Sequence, residues 1–168
     1  MKSQRRNDKS ETESRLRNWL SSSKRVVIAG IGNPLRKDDS VGMRIVGNLR
    51  NKVSKAVYLV ECETVPESFI KPIEEFKPTH ILIIDAALLN LQPGSSKLIE
   101  PSQLAERIAI STHALPLRIL CEYLERTTEA KIAILAIQPK DASFGEGLTA
   151  ELEKTANRLT NLLSEILP

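Results

Sequence analysis

The side chains best suited to chemistry are three acids and one imidazole. Asp38 and Asp39 lie in the stretch Gly30-Ile31-Gly32-Asn33-Pro34-Leu35-Arg36-Lys37-Asp38-Asp39-Ser40-Val41-Gly42. Asp85 closes the apolar run that begins at His80, and His113 stands in Ser111-Thr112-His113-Ala114-Leu115-Pro116. Two carboxylates and an imidazole make an oxygen-rich, nitrogen-bearing set that could hold a divalent metal with positions left open. The set is spread through the chain with no H-E-x-x-H pair, so spacing alone does not single it out. Each member also has a purely structural alternative. Asp39 sits at or just before a helix start and could be an N-cap, and Asp38 competes for the same role. Asp85 could cap the loop after its strand, and His113 could be a satisfied loop histidine.

Other chemistries fit less well. No G-x-S-x-G elbow is present, which removes the usual serine hydrolase of an α/β architecture. A dinucleotide fingerprint needs glycine where Leu35 stands, and a P-loop needs a G-K-[ST] that does not follow. Carboxylates at the turn would also repel a pyrophosphate. Glu61 and Glu63, at the end of the second apolar run, fall roughly where a ribose-binding acid would be and keep a nucleotide site as an alternative. Cys62 could approach His113, against the reading of a buried structural thiol. Cys62 and Cys121 form no C-x-x-C and suit a reducing interior.

These residues need elements to position them. Val26 to Ala29 reads as a buried strand, and Val41, Ile45, Val46 and Leu49 recur behind it at helical spacing. Gly30 and Gly32 allow a tight turn and close approach between the two elements, and Pro34 stiffens it. Val57 to Val60 reads as a second strand, and Pro66 opens a helix to about Phe76 with Phe69, Ile70 and Ile73 inward. His80 to Ala86 is a continuous apolar run typical of a central parallel strand. Ser96 to Ile99 reads as an edge strand, followed by a brief helix at Pro101 and Ser102. A helix ending near Arg126, a strand from Ile132 to Ile137, a glycine-containing loop and a helix from Thr149 to about Leu167 complete the chain. Such alternation predicts a single-domain α/β fold: a mostly parallel twisted sheet of about five strands with helices on both faces, phosphorylase/hydrolase-like. The acids after strands one and three then point from the same edge. His80 begins the strand that Asp85 ends, about 16 Å away, so His113 is the histidine that can join them.

At 168 residues, with 41% hydrophobic and 27% charged side chains, the chain has the composition of an ordinary globular domain. No apolar run approaches the roughly 20 residues that span a bilayer. The basic N-terminus lacks a signal-peptide apolar core, so membrane insertion is not expected and the cytoplasm is the expected location. The net charge of +3 is unevenly placed: residues 1–25 carry +5 and the remainder −2. A basic segment could touch RNA or a membrane surface, but only Trp19 is aromatic there, and a solvated extension without nucleic acid is the preferred reading. Residues 1–23 therefore read as an extension to a 24–168 domain. Within it, Ser10 and Glu13 suggest a capping box, and Leu16, Trp19 and Leu20 the apolar face of a short helix that follows a frayed tail and packs on the domain or on a partner.

The motifs taken together resemble the hydrogenase maturation endopeptidases of the HycI type. The likeness is carried by GIGNPLRKDDSVG, THILIIDA, STHALPL and the AIQP segment at Ala136 to Pro139, in that order, from about Val26 to the last helix. It implies an endopeptidase that removes the C-terminal extension from a [NiFe]-hydrogenase large-subunit precursor after nickel insertion. It also implies that Asp39, Asp85 and His113 are the metal ligands and the catalytic set. Asp38, or a hydroxide on the metal, is then the candidate base. The cleft between the Asp39 and His113 loops is expected to hold the precursor's tail, with Gly32, Asn33, Thr112 and Gln138 as substrate contacts. Nickel is expected to arrive with the substrate, with no organic cofactor, and the enzyme to be a monomer. The alternatives are a nickel-checking protein that docks the precursor without cutting it, and a nucleotide-binding α/β enzyme.

Overall fold

The structure, a computed structural model, describes residues 2–104 and 114–168. Its elements are α1 (Lys2–Leu20), β1 (Val26–Ile31), α2 (Val41–Leu49), β2 (Val57–Glu63), α3 (Ile70–Phe76), β3 (His80–Ala86), β4 (Ser96–Ile99), α4 (Ala114–Thr128), β5 (Lys131–Ile137) and α5 (Ala150–Ile166). Short 3-10 turns cover Lys37–Ser40, Pro66–Phe69 and Pro101–Gln103. The sheet order is β2-β1-β3-β5-β4, with β4 alone antiparallel and at the edge. The expected mostly parallel five-stranded sheet is therefore what forms.

Successive strand residues point to opposite faces, so strands that are apolar throughout must be covered twice. Val26 and Ile28 of β1 join Leu82 and Ile84 of β3 and Leu135 of β5 in one core. Val27, Ala29, Ile81, Ile83, Ile132 and Ile134 join the other. The first is sealed by α1, α2 and α5, through Leu16, Ile45, Leu49, Leu159 and Leu163 among others. The second is sealed by α3 and α4, through Ile73, Leu117, Cys121 and Leu124.

The connection from β1 leads outward to β2 over one face, and the connection from β2 returns past β1 to β3 over the other. The crevice between the carboxyl ends of β1 and β3 is thus a topological switch point, where ligands of open α/β sheets bind. Asp39 and Asp85 follow or end those two strands.

The N-terminal segment differs from the expected frayed tail and short helix. α1 spans 19 residues, and Ser10 lies inside it, so no capping box forms there. Leu16 and Leu20 are buried in the first core and Trp19 packs against it. The Thr12 hydroxyl donates to the Ser96 carbonyl at 2.7 Å, and Glu13 pairs with Arg158 of α5. Leucines four apart find the surface left between β4 and α5, and tertiary burial extends a helix that its charged sequence would not hold alone. The 66–76 segment also differs slightly, as a 3-10 turn followed by α3 rather than one helix. Among the described residues, no helix is long and apolar enough to cross a membrane.

Candidate active site

The loop after β1 is built by its own polar side chains. Asn33 Oδ1 accepts the Leu35 N–H at 2.9 Å, closing an Asx turn. Asp39 Oδ2 accepts the Asn33 N–H at 2.8 Å, which draws the carboxylate back over the turn. Gly32 has φ of 150°, and a Cβ there would lie 1.9 Å from the Asp39 carbonyl oxygen, so only glycine fits. A second close approach sets the depth: a Cβ on Gly42, in the first turn of α2, would lie 2.1 Å from the Ile84 carbonyl oxygen. The helix start therefore rests directly on the β3 backbone, one residue before Asp85. The N-cap of α2 is Ser40, without a side-chain cap, so neither acid plays the capping role.

Asp85 is 3% exposed, and its Oδ1 has no hydrogen-bond partner among the described residues. Burial pushes its carboxyl well above the usual carboxylate range, and the nearby Asp39 carboxylate adds to the rise against a small opposing effect of the Ala86 backbone. Like charges disfavour joint ionisation, so the pair is poised to take a cation or a proton. The structure thus brings Asp39 and Asp85 together. His113 and Thr112 lie outside the described residues. Among the described residues, no group of three or more His, Cys, Asp or Glu is placed to hold a metal.

Asp38 has a different environment from its neighbour. It is fully buried, and its Oδ2 accepts the N–H groups of Lys140 and Asp141, both at 2.9 Å, and the Thr149 hydroxyl at 2.9 Å. Its Oδ1 accepts the Thr149 N–H at 2.7 Å. Both oxygens are occupied, so Asp38 is a strut that ties the Asp39 loop to the loop after β5. Gln138 makes a parallel tie. Its Oε1 accepts the Leu89 N–H at 2.7 Å and its Nε2 donates to the Pro139 carbonyl, bracing the loop that follows Asp85. The loops after β1, β3 and β5 are one hydrogen-bonded unit. Thr149 and the Lys140–Asp141 backbone were not legible as site-supporting residues, because their partner lies more than 100 positions away.

The remaining candidates fall elsewhere. His80 is at the amino end of β3, stacked edge-on against Trp19 with ring centroids 4.9 Å apart, with Nδ1 3.0 Å from the Thr79 hydroxyl. Glu61 is paired with Arg50 at 2.8 Å. Glu63 is exposed. Cys62 and Cys121 are buried, and burial pushes both thiols up to about 12, which makes them packing residues and not nucleophiles.

Comparison with known proteins sharpens these observations. Residues 43–166 match the family model described as hydrogenase maturation protease. A candidate hydrogenase maturation protease of Methanocaldococcus jannaschii is 39% identical over 156 residues, covering 88% of this chain and 91% of the relative. The hydrogenase 3 maturation protease of Escherichia coli is 28% identical over 127 residues, covering 76% of this chain and 81% of the relative. The crystal structure of a [NiFe] hydrogenase maturation protease from Thermococcus kodakarensis superposes with a TM-score of 0.83 at 33% identity, covering 90% of this chain and 97% of that one.

Proposed function

Because the chain belongs to the hydrogenase maturation protease family, we propose that it removes the C-terminal extension of a [NiFe]-hydrogenase large-subunit precursor once nickel is installed. The observation that supports the nickel dependence is the buried Asp85 carboxylate, one oxygen of which has no hydrogen-bond partner among the described residues, beside a second carboxylate at the switch point. A fold tolerates such a pair where a cation visits. Asp39 and Asp85, with His113 as the third ligand, engage nickel carried by the precursor and align the tail across the Asp39 loop. Asn33, whose N–H holds Asp39, and Gly32 form the floor of that loop.

Nickel belongs to the substrate in this reading, carried in by the precursor. It acts as a Lewis acid on the scissile carbonyl or lowers the pKa of a bound water. Asp38 is not the base, since both of its oxygens are occupied and it is buried. One nitrogen and two carboxylate ligands lack the thiolates of tight structural sites, so metal alone binds weakly and the enzyme folds without it.

Incubation with nickel-loaded and with nickel-free precursor, followed by intact mass of the large subunit, tests the proposal. Loss of the extension from the loaded form alone is the expected result. Equal cleavage of both forms refutes the nickel dependence, and binding without any mass change indicates a checking protein that does not cut.

A further inference from the structure

Each parallel strand is followed, at the carboxyl edge of the sheet, by a loop that leaves one large apolar side chain exposed. They are Leu35 after β1, Val65 after β2, Leu88 after β3 and Phe144 after β5. All four stand at the carboxyl edge of the sheet, where Asp39 and Asp85 also lie, and the Leu35 and Phe144 loops are hydrogen-bonded to one another. Phe144 is the extreme case at 81% exposure, with Leu35 at 47% on the adjoining loop.

The loop that carries Phe144 is tightly held. Asp141 Oδ1 accepts the Ser143 N–H at 2.9 Å and its hydroxyl at 2.6 Å, and Lys37 Nζ donates to Asp141 Oδ2 at 2.6 Å. The Gly145 N–H donates to the Leu35 carbonyl at 2.8 Å, and the Lys37 N–H donates to the Gly145 carbonyl at 3.0 Å. Arg36 Nε adds a bond to the Ala142 carbonyl at 3.0 Å, and Asp38 anchors both ends of the loop through Lys140, Asp141 and Thr149. A loop free to move would fold its phenyl ring onto the protein. This one holds the ring in water, which is unfavourable for the free enzyme and useful for an anchor that must be ordered before its partner arrives.

The occupant is a protein surface and not a small molecule. Two apolar side chains held out into water on hydrogen-bonded loops, beside acids whose proposed substrate is itself a protein, suit a protein surface. Exposed aromatic anchors beside a site of this kind are characteristic of protein interfaces. We propose that Phe144 and Leu35 form a preorganised apolar docking surface for the folded body of the large-subunit precursor, next to its nickel site. The identity of that partner rests on the processing reading above.

The test compares wild type, Phe144→Ser, Leu35→Ser and Ile119→Ser, the last an exposed apolar residue on α4, outside the loops after β1 and β5. Calorimetric binding of nickel-loaded precursor should weaken at least tenfold for Phe144→Ser and less for Leu35→Ser. Ile119→Ser should bind as wild type. Where cleavage is followed, KM should rise with kcat little changed, and melting temperatures should stay together. Unchanged precursor binding by both loop variants overturns the inference. So does a wild-type dimer in sedimentation that Phe144→Ser dissociates, since a second copy would then be the occupant. Wild type that binds the precursor but never cuts it refutes the processing reading alone, and the binding ratio still decides the docking surface. Wild type that binds no precursor overturns both.

Discussion

Asp85→Asn should make the fold more stable while abolishing processing. In the wild type the carboxyl is 3% exposed, one oxygen has no partner among the described residues, and the Asp39 carboxylate lies close enough to raise its proton affinity. A buried polar group left unsatisfied costs about 1–3 kcal/mol, and more when charged. The amide keeps the shape, removes the charge and turns repulsion by Asp39 into attraction, so about 1–3 kcal/mol should return at pH 7. For a domain of this size 1 kcal/mol corresponds to about 2–4 °C, so the melting temperature should rise by roughly 2–12 °C. The pH dependence has a definite sign. A raised folded-state pKa means that the folded chain keeps a proton that the unfolded chain releases above its ordinary value of 3.8. Wild-type stability from this group therefore falls as pH rises from about 4 through the raised value, and the advantage of the variant opens over the same window. Thermal melts of both proteins at pH 7 and near pH 4 measure it. A variant that melts lower than wild type at pH 7, or whose advantage is the same at both pH values, would refute the argument.

Asp38→Ala leaves three backbone N–H groups and the Thr149 hydroxyl without their acceptor, and should cost about 3–5 kcal/mol in denaturant titration; a loss under about 1 kcal/mol would show that Asp38 is no strut. Leu16→Ala should cost about 2–5 kcal/mol, because the side chain is fully buried in the first core, and an unchanged midpoint would mean that α1 is dispensable. Burial, helped by the charge of Lys131, holds the His80 imidazole below its ordinary 6.5. Its contribution is then intact above about pH 6.5 and lost as pH falls through 6.5 toward the lower folded value, and His80→Gln should flatten that limb of the melting profile.

The layered sheet was legible because its strands are apolar without interruption, and only helices on both faces can bury such strands. His80 to Ala86 and Ser96 to Ile99 match their expected bounds residue for residue. The N-terminal helix was legible in its apolar face of Leu16, Trp19 and Leu20 but not in its length, since its charge density argues for a frayed start and the partners of Leu16 and Leu20 on β4 and α5 lie far away in the chain. The acids at the switch point were legible as a pair of loop carboxylates following strands one and three. Their separate roles were not, since Asp38 and Asp39 are the same residue type at adjacent positions. His113 and Thr112, expected to join them, lie outside the described residues.

The division of labour between those two adjacent aspartates also accounts for how the site stays open. A short 3-10 turn at Lys37–Ser40 rotates successive side chains by about 120°, so one carboxylate points inward to the β5 loop and the next toward the crevice. The inward one finds four donors and contributes stability. The outward one accepts the Asn33 N–H and, among the described residues, no other donor, and it faces the buried Asp85 carboxyl across the switch point. Had both carboxylates been satisfied, the crevice would hold no attraction for a cation. Had neither been, the loops after β1 and β5 would have no common anchor to hold the crevice in shape. The stability gained at Asp38 offsets the instability kept at Asp85, and that local imbalance leaves two carboxylates facing the crevice, the feature on which the proposed nickel dependence rests.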